Sequence, residues 1–454
     1  MAVIRYLYDK LSNVVSGLGG QQDKSAATTY AYTYLTDVEL LNAYRGAWLP
    51  RKIIDIPAKD AVRQWRSWQA DENEITRIEG EEKRLGVQGK VHQALTLARL
   101  FGGAAIYIGT GETNTARPLD PERIGKGGVK FLTVFRHDQL TPGELDTDPM
   151  APTYNQPRAY QVASGTVTSA IVEIHPSRLI LFSGNEHPMP ELNTSRQGWA
   201  DPVLLSVMQA VKNSDSTMAN IATMTFDAKV DVYRIPGFMD GMSDPAYEAA
   251  VIQRFALANT LKGINHALVL DKEEEYEQKV LSFASLPEIV DRFFQAVSGA
   301  ADIPLTRLLG QSPGGLSATG ESDLRNYYDG VKSDQELRVS PRMMVFDECL
   351  IRSATGARRP EIYYEWRPLW QPTAMERATI GKTTAETVKV LADTRLFPED
   401  ALSATAANML TETGVMPGLD AEIGASAMEA PYDREPEEPI DPAAGTSETT
   451  PVAE

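Results

Sequence analysis

Residues Asp302–Asp329 read DIPLTRLLGQSPGGLSATGESDLRNYYD, and this stretch decides how the rest of the chain is interpreted. A turn rich in glycine and serine joins an apolar element to a polar, aromatic helix. Gly315 and Gly320 have the spacing of the phosphate-binding loop G-x-x-x-x-G-K-[ST], and Ser322 fills its last position. The lysine position holds Glu321, whose carboxylate would repel the phosphates that such a loop binds. The mismatch argues against a nucleotide loop and indicates another role for the segment.

The composition indicates a folded protein with more than one packed unit. The chain has 454 residues, of which 42% are hydrophobic, and a formal net charge of −18. This length exceeds what one ordinary core supports, and the hydrophobic fraction is too high for a disordered chain. The negative charge argues against an outer surface that wraps nucleic acid, because neutralising phosphates requires clustered lysine and arginine. It is compatible with DNA that passes a surface without being held.

Residue counts and spacings also exclude several classes of site. The single cysteine, Cys349, rules out disulfides within the chain and cysteine-based zinc sites, and its simplest role is an apolar filler on a helix. The five histidines lack metal-binding spacing, and no G-x-S-x-G motif is present. The N-terminus lacks the apolar core of a signal peptide, and no window approaches a membrane span. We therefore expect a soluble protein from a reducing compartment, without catalytic, metal or cofactor sites.

Hydrophobic periodicity predicts an α+β fold. Residues 1–40 read as an arm, residues 50–68 have helical spacing, and a helix is predicted from Glu74 to Leu100. A β-rich region follows, with predicted strands at AAIYIG (104–109), Val129–Phe135, Ala159–Ala163, Ile171–Ile174 and Leu179–Phe182. Further helices are predicted at about Asp201–Asp227 and Pro287–Ala301, and further strands at VDVYRIPG (230–237), LVL (268–270) and VLSF (280–283).

The C-terminal part reads as a helix, a small β element and a returning helix. A long helix is predicted from about Glu321 to Ser353, interrupted at Gly330 and at Pro341, where a kink is expected. The strand EIYYEW (361–366) follows, then helices at about Thr373–Asp393 and Glu399–Leu410. From about Thr413 the chain reads as a disordered tail, with eight acidic residues and one arginine after Ser426.

Four arginines flank the short C-terminal strand: Arg352, Arg358, Arg359 and Arg367. They fit a solvated turn, a docking surface for a partner or a DNA-facing collar, since arginine favours bidentate contacts with carboxylate and phosphate. The nearby aromatic residues are expected to serve packing or a subunit interface. Two helices joined by a small β element cannot bury both their faces alone, and neighbouring copies in a ring would supply the missing burial.

Three segments carry a resemblance to a known family: IHPSRLILFSG (174–184), VYRIPG (232–237) and the opening stretch. They resemble tailed-phage portal proteins, which typically show I-P-x-x-x-L-x-G-x-S-P-x-G-x-x-A-T-G-E-x-D followed by an aromatic helix. The resemblance covers roughly residues 40–410. It implies a portal-type fold with an α/β wing, a two-helix stem, a small β-containing clip, a tunnel loop and a short C-terminal crown.

Mapped onto this chain, the resemblance implies seven segments. They are an N-terminal arm at 1–40, the wing at 41–320, the first stem helix at 321–352, the clip at 353–372, the second stem helix at 373–393, the tunnel loop with the following helix at 394–413, and a reduced crown with an acidic tail at 414–454. The wing–stem junction would contain Gly314, Gly315, Gly320 and Glu321. The tunnel loop would contain Arg395, Leu396, Phe397 and Pro398, and Pro341 would kink the stem.

The resemblance also implies a function. Portal proteins form a ring, usually twelve-fold, at one capsid vertex of the virion, after synthesis in the host cytoplasm. DNA is packaged and ejected through the ring, which contacts the major capsid protein, the terminase large subunit and then the head–tail adaptor. The clip arginines would face these partners. No catalytic residue, cofactor, metal or membrane is implied.

The sequence leaves two other functional classes open. The first is a nucleotide- or phosphodiester-processing enzyme that uses the glycine-rich segment 310–322, although Glu321 counts against it. The second is a different ring-forming adaptor, which the length of the chain disfavours because adaptors are usually much shorter.

Overall fold

The structure is a computed structural model that describes residues 34–162, 172–188, 198–226, 229–234, 244–265, 275–280, 283–310, 320–370, 374–394 and 398–412. The predictions for most of the arm, the strand at 268–270, the glycine-rich loop at 311–319, most of the tunnel loop and the acidic tail lie outside these residues. The chain divides into two compact units between Leu369 and Trp370, inside the segment assigned to the clip.

Among the described residues, the first two helices are α1 (Asp37–Gly46) and α2 (Trp48–Arg63). Thr36 caps α1, because its hydroxyl accepts the N–H of Glu39 while the Glu39 carboxylate accepts the N–H of Thr36. The helical prediction for 50–68 is wrong at its end, where Arg66–Gln69 forms strand β1. This strand pairs antiparallel with β10 (Tyr363–Trp366), a partner so distant in sequence that local spacing cannot reveal it.

The helix predicted from Glu74 to Leu100 is in fact two helices, α3 (Glu72–Leu85) and α4 (Val87–Phe101). Gly86 separates them with a φ of 63°, a left-handed conformation that glycine adopts without a Cβ penalty. Its N–H donates to the carbonyls of Glu82 and Lys83, which ends α3. The apolar stripe continues across the break, and for this reason hydrophobic periodicity alone predicts one continuous helix.

The β-rich region forms two three-stranded antiparallel sheets, and the predicted strands are confirmed to within about two residues at each end. The first has the order β3–β2–β7, with β2 (Gly103–Gly109) between β3 (Phe131–Arg136) and β7 (Leu179–Ser183). The second consists of β4 (Leu140–Pro142), β5 (Tyr160–Val162) and β6 (Val172–Ile174). Nearly every residue of β2 is buried, so this strand lies inside the core of the first unit.

Helix α5 (Val203–Phe226) confirms its prediction, and it is followed by β8 (Lys229–Arg234), α6 (Pro245–Asn265) and β9 (Glu275–Val280). The sequence did not predict α6. It placed a strand at 280–283 after a solvated acidic run, whereas β9 lies in the acidic run itself. Arg234 of β8 explains this difference, because its guanidinium lies 3.1 Å from Glu275 and 3.3 Å from Glu277 across the pair.

Helix α7 (Leu286–Ala301) and the short α8 (Leu305–Leu309) precede the first predicted stem helix. That helix consists of α9 (Glu321–Asp334), a π-helical segment (Gln335–Val339) and α10 (Ser340–Thr355). The predicted interruption at Gly330 is wrong, because α9 continues through it. The irregularity expected at Pro341 lies in the turn before it, where the N–H of Ser340 bonds to the carbonyl of Gln335.

The core of the first unit changes the interpretation of this helix. Met343, Phe346, Cys349 and Leu350 of α10 are fully buried in one hydrophobic cluster with residues of α3, α4 and β2. One face of α10 is therefore buried within its own chain, while Met344 and Val345 of the same helix are 64% and 41% exposed. Cys349 is an apolar filler, as predicted, and burial raises the pKa of its thiol to about 12. The second unit contains α11 (Ala374–Thr394) and α12 (Glu399–Glu412), which confirm the last two predicted helices.

Candidate functional site

The predicted wing–stem junction is tied to the wing through one buried carboxylate. Asp60 of α2 is inaccessible to solvent. The guanidinium of Arg307 in α8 donates two hydrogen bonds to it, at 3.0 and 2.9 Å, and the hydroxyl of Tyr327 in α9 donates a third at 3.1 Å. Burial and the neighbouring Asp60 carboxylate raise the pKa of Tyr327. A buried charge with this many donors fixes the helices on both sides of the glycine-rich loop to one point of α2.

Sequence reasoning missed Asp60. The signal that could have revealed it is its position, seven residues after buried Ile53, on the apolar face of α2. An acidic residue on an apolar stripe has to find a buried partner. The sequence contains that partner, Arg307, but local spacing cannot identify it.

The start of α9 agrees with the sequence prediction. Gly320 is the residue before the helix, with a φ of 60°, and Glu321 is its first residue. Glu321 and Asp323 both lie in the first turn, where negative charge interacts favourably with the helix dipole. Gly314 and Gly315 lie outside the described residues. A carboxylate at position 321 therefore suits a helix start, while it would oppose a bound phosphate.

The predicted clip arginines do not form one free patch. The Nε atoms of Arg352 and Arg358 lie 3.6 and 2.9 Å from the carboxylate of Glu348, and Arg359 lies 3.2 Å from Glu74 on another helix. Arg367 is exposed, and its backbone N–H donates to the carbonyl of Trp65. The first three arginines thus bind carboxylates of their own chain, while the docking role of the four stays a prediction.

A buried arginine of β1 lies where the predicted clip strand β10 packs against the rest of the first unit. Arg66 of β1 is almost inaccessible, and its guanidinium lies 2.8 Å from Glu82 and 2.6 Å from Asp347 of α10. The rings of Trp68 and Tyr364 lie 4.8 and 4.5 Å from its guanidinium carbon. Burial alone would lower the pKa of Arg66, but the two carboxylates together raise it. The packing role predicted for the clip aromatics is confirmed for Tyr364.

The tunnel-loop prediction falls mostly outside the described residues. Arg395, Leu396 and Phe397 are among those not described, whereas Pro398 is, and its carbonyl accepts the N–H of Leu402 in the first turn of α12. Within the described part of the chain, no group of three or more histidine, cysteine or acidic residues could hold a metal ion. No helix there is long and apolar enough to span a membrane.

The fold and these contacts define an α+β protein built around one long helix with a π segment. The first unit combines helices with antiparallel sheets, and a long helix with a π segment leads from Glu321 into its core and on towards β10, the predicted clip strand. The chain belongs to the phage portal protein family, which it matches over residues 38–390. The resemblance drawn from residues 302–329 and the α+β fold class are thereby confirmed.

Three similar proteins illustrate the relationship. The chain is 42% identical over 433 residues to the anti-CBASS protein Acb1 of Caulobacter sp. (strain RHG1), covering 91% of this chain and 68% of that protein. It is 38% identical over 440 residues to a protein of the same name from Sphingomonas paeninsulae, covering 95% and 70%. A chain from the neck of a native GTA particle, computed with C12 symmetry, covers 84% of this chain and 97% of its own length, with a TM-score of 0.51 and 11% identity. This last likeness concerns the fold alone.

Proposed function

We propose that this chain is the subunit of a portal ring at one vertex of a phage capsid. Such rings usually contain twelve copies. DNA passes through the ring during packaging and ejection. The ring contacts the major capsid protein, docks the terminase large subunit and later binds the head–tail adaptor, and it has no enzymatic role. The observation that carries this proposal is the family match across residues 38–390.

Exposed apolar side chains on the first unit support self-association. Val38 of α1, Trp48 of α2 and Ile289 of α7 are 68%, 50% and 43% exposed. The ring of Trp48 lies 6.2 Å from that of Phe294 in α7, so α2 and α7 present apolar groups side by side. Grouped apolar side chains on a surface commonly mark contacts with other proteins. In the proposed ring, neighbouring copies cover these residues.

Light scattering combined with class averages of the purified chain tests the proposal. We expect rings, and we expect Trp48→Glu to reduce their formation because it puts a charge into the proposed contact. Met150, which is 89% exposed in a loop, provides the matched control, since Met150→Glu should leave assembly unchanged. A chain that stays monomeric at every salt concentration and with the capsid protein present would overturn the proposal.

The names of the relatives favour a second candidate, an anti-CBASS role for this chain. About 30% of each relative lies outside its alignment with this chain, so the name does not assign that role to the shared part. Expression of this chain in cells that carry CBASS separates the two candidates. Inhibition of CBASS by this chain would support the second role, whereas inhibition only by the full-length relatives would place it in their unmatched part.

The enzyme alternative has its own test. We expect no micromolar affinity for ATP, because Glu321 begins a helix at the place where a phosphate-binding loop needs a lysine. Micromolar binding that is lost in Gly315→Val or Gly320→Val would reverse this order of preference.

A further inference from the structure

Three arginines line one small cavity in the first unit. The cavity measures about 60 Å³, and Arg99 of α4, Arg338 of the π segment and Arg342 of α10 lie in its wall. Ser183, Asn185 and Asp334 add polar groups. A volume of this size has room for about four water molecules, a space similar to that of a four-oxygen anion. Arg99 also lines a larger cleft of about 760 Å³.

The positive charge of this cavity is incompletely balanced. Glu186 lies 2.6 Å from Arg342 and 3.8 Å from Arg338, and Asp334 lies 3.6 Å from Arg338. Both carboxylates are more than half exposed, so solvent screens them. Three guanidinium groups therefore share two half-exposed carboxylates. A buried cation without a close counter-charge is costly to the fold.

Arg99 is the member for which the described residues show no ion pair with a carboxylate. Its Nη2 donates to the carbonyl of Ile53 at 3.0 Å, while its Nε is buried and has no hydrogen-bond partner among the described residues. Burial lowers the pKa of Arg99 to about 10, as expected of a cation without a bound carboxylate. A water molecule in the cavity would provide an acceptor for Nε but no negative charge. An oxyanion would provide both.

We propose that this cavity binds a small oxyanion of the phosphate class, held by Arg99, Arg338 and Arg342. The planar guanidinium group presents paired donors that match the oxygens of such an anion. Because the three arginines come from α4, the π segment and α10, a bound anion joins the wing to the first predicted stem helix at its irregular turn. Such π segments are frequent at functional sites.

Titration of the full chain with inorganic phosphate tests the proposal, with chloride at matched ionic strength as the reference. We expect saturable binding, which Arg99→Gln weakens about tenfold or more because a charge-assisted hydrogen bond is lost. Asp334→Asn is expected to tighten binding, since it removes a competing negative charge at a half-exposed position. Arg77→Gln is the matched control, because Arg77 is an exposed arginine of α3 outside the cavity. It should bind phosphate as the wild type does.

Amide hydrogen exchange adds a second readout. Phosphate is expected to slow exchange in Gln335–Val339 of the wild type, but not of Arg99→Gln. The proposal is overturned if no saturable binding occurs, or if Arg99→Gln binds phosphate as tightly as the wild type. A short DNA duplex provides the last arm. Arg99→Gln could weaken binding of the duplex while leaving binding of phosphate unchanged. That result would mean that the arginines bind a polynucleotide rather than a small anion, and it too would overturn the proposal.

Discussion

At the scale of single residues, Arg66 is the buried charge that connects β1 to α3 and α10 and contacts Tyr364 of β10. It lies between two carboxylates, Glu82 and Asp347, with almost no solvent access. Arg66→Met would leave both carboxylates buried without a counter-charge. We expect it to lower the free energy of unfolding by about 3–5 kcal/mol in denaturant titrations.

Arg359 is the control for this prediction. It pairs with Asp71 and Glu74, but 59% of its side chain is exposed. Arg359→Met is expected to cost less than about 1 kcal/mol, because solvent screens an exposed ion pair. Equal losses for the two variants would show that burial of the Arg66 network contributes nothing beyond a surface pair.

Asp347 gives the same network a dependence on pH. Burial raises the pKa of Asp347 to about 6, and the attraction of Arg66 offsets only part of this rise. A carboxyl group with a raised pKa holds its proton more tightly in the folded state. Its contribution therefore favours folding at low pH and is lost as the pH rises through about 6.

The prediction compares wild type with Asp347→Asn, which cannot ionise. Between pH 7 and pH 5, the free energy of unfolding of the wild type should rise relative to the variant by roughly 1 kcal/mol. Denaturant titrations at the two pH values measure this difference. A change of opposite sign would mean that Arg66 holds the pKa of Asp347 below its usual value.

At the scale of elements, Gly86 shows how one backbone conformation separates two helices. Its φ of 63° is unfavourable for other residues, while a Cβ added there would meet no atom within 4 Å. The expected cost of Gly86→Ala, about 1 kcal/mol, is therefore conformational rather than steric.

Gly89, three residues further in α4, is the matched control. A Cβ there also meets nothing within 4 Å, but the backbone is helical. Gly89→Ala should therefore raise the free energy of unfolding by about 0.5–1 kcal/mol. Thermal or denaturant unfolding checks both expectations, a lower stability for Gly86→Ala and a higher stability for Gly89→Ala. A joint α3–α4 helix in Gly86→Ala without loss of stability would contradict the argument.

These elements also show what the sequence can predict. The strands β2, β3 and β7 are predictable because each is a short apolar run bounded by turn residues. In contrast, β1 and β9 depend on distant partners, the Arg66 network with β10 and Arg234 of β8. The start of α9 at Glu321 follows from local charge and the preceding glycine. The partner of Asp60 and the roles of Arg99 and Arg342 could not be recognised from the sequence, because they arise from contacts between distant segments.

At the scale of the whole molecule, the net charge of −18 governs how the chain meets DNA. In the proposed channel, DNA has to slide, and each close phosphate contact would retain it. Several of the basic residues that the structure describes, Arg66 and Arg358 among them, form ion pairs with carboxylates of the same chain. The remaining net negative charge then determines the long-range electrostatic potential of the chain, and this potential repels a polyanion such as DNA.

This repulsion gives a prediction for the chain of 454 residues. We expect it to bind a DNA duplex more weakly than the 10⁻⁴–10⁻⁶ M typical of non-specific DNA-binding proteins at physiological salt. Removal of residues 427–454 deletes eight acidic residues and one arginine, and should strengthen any binding at low salt. Replacing those acidic residues by glutamine at constant length is the control for chain length. Electrophoretic mobility shifts across a salt series measure both effects, and micromolar retention of DNA by the complete chain at physiological salt would contradict the sliding argument.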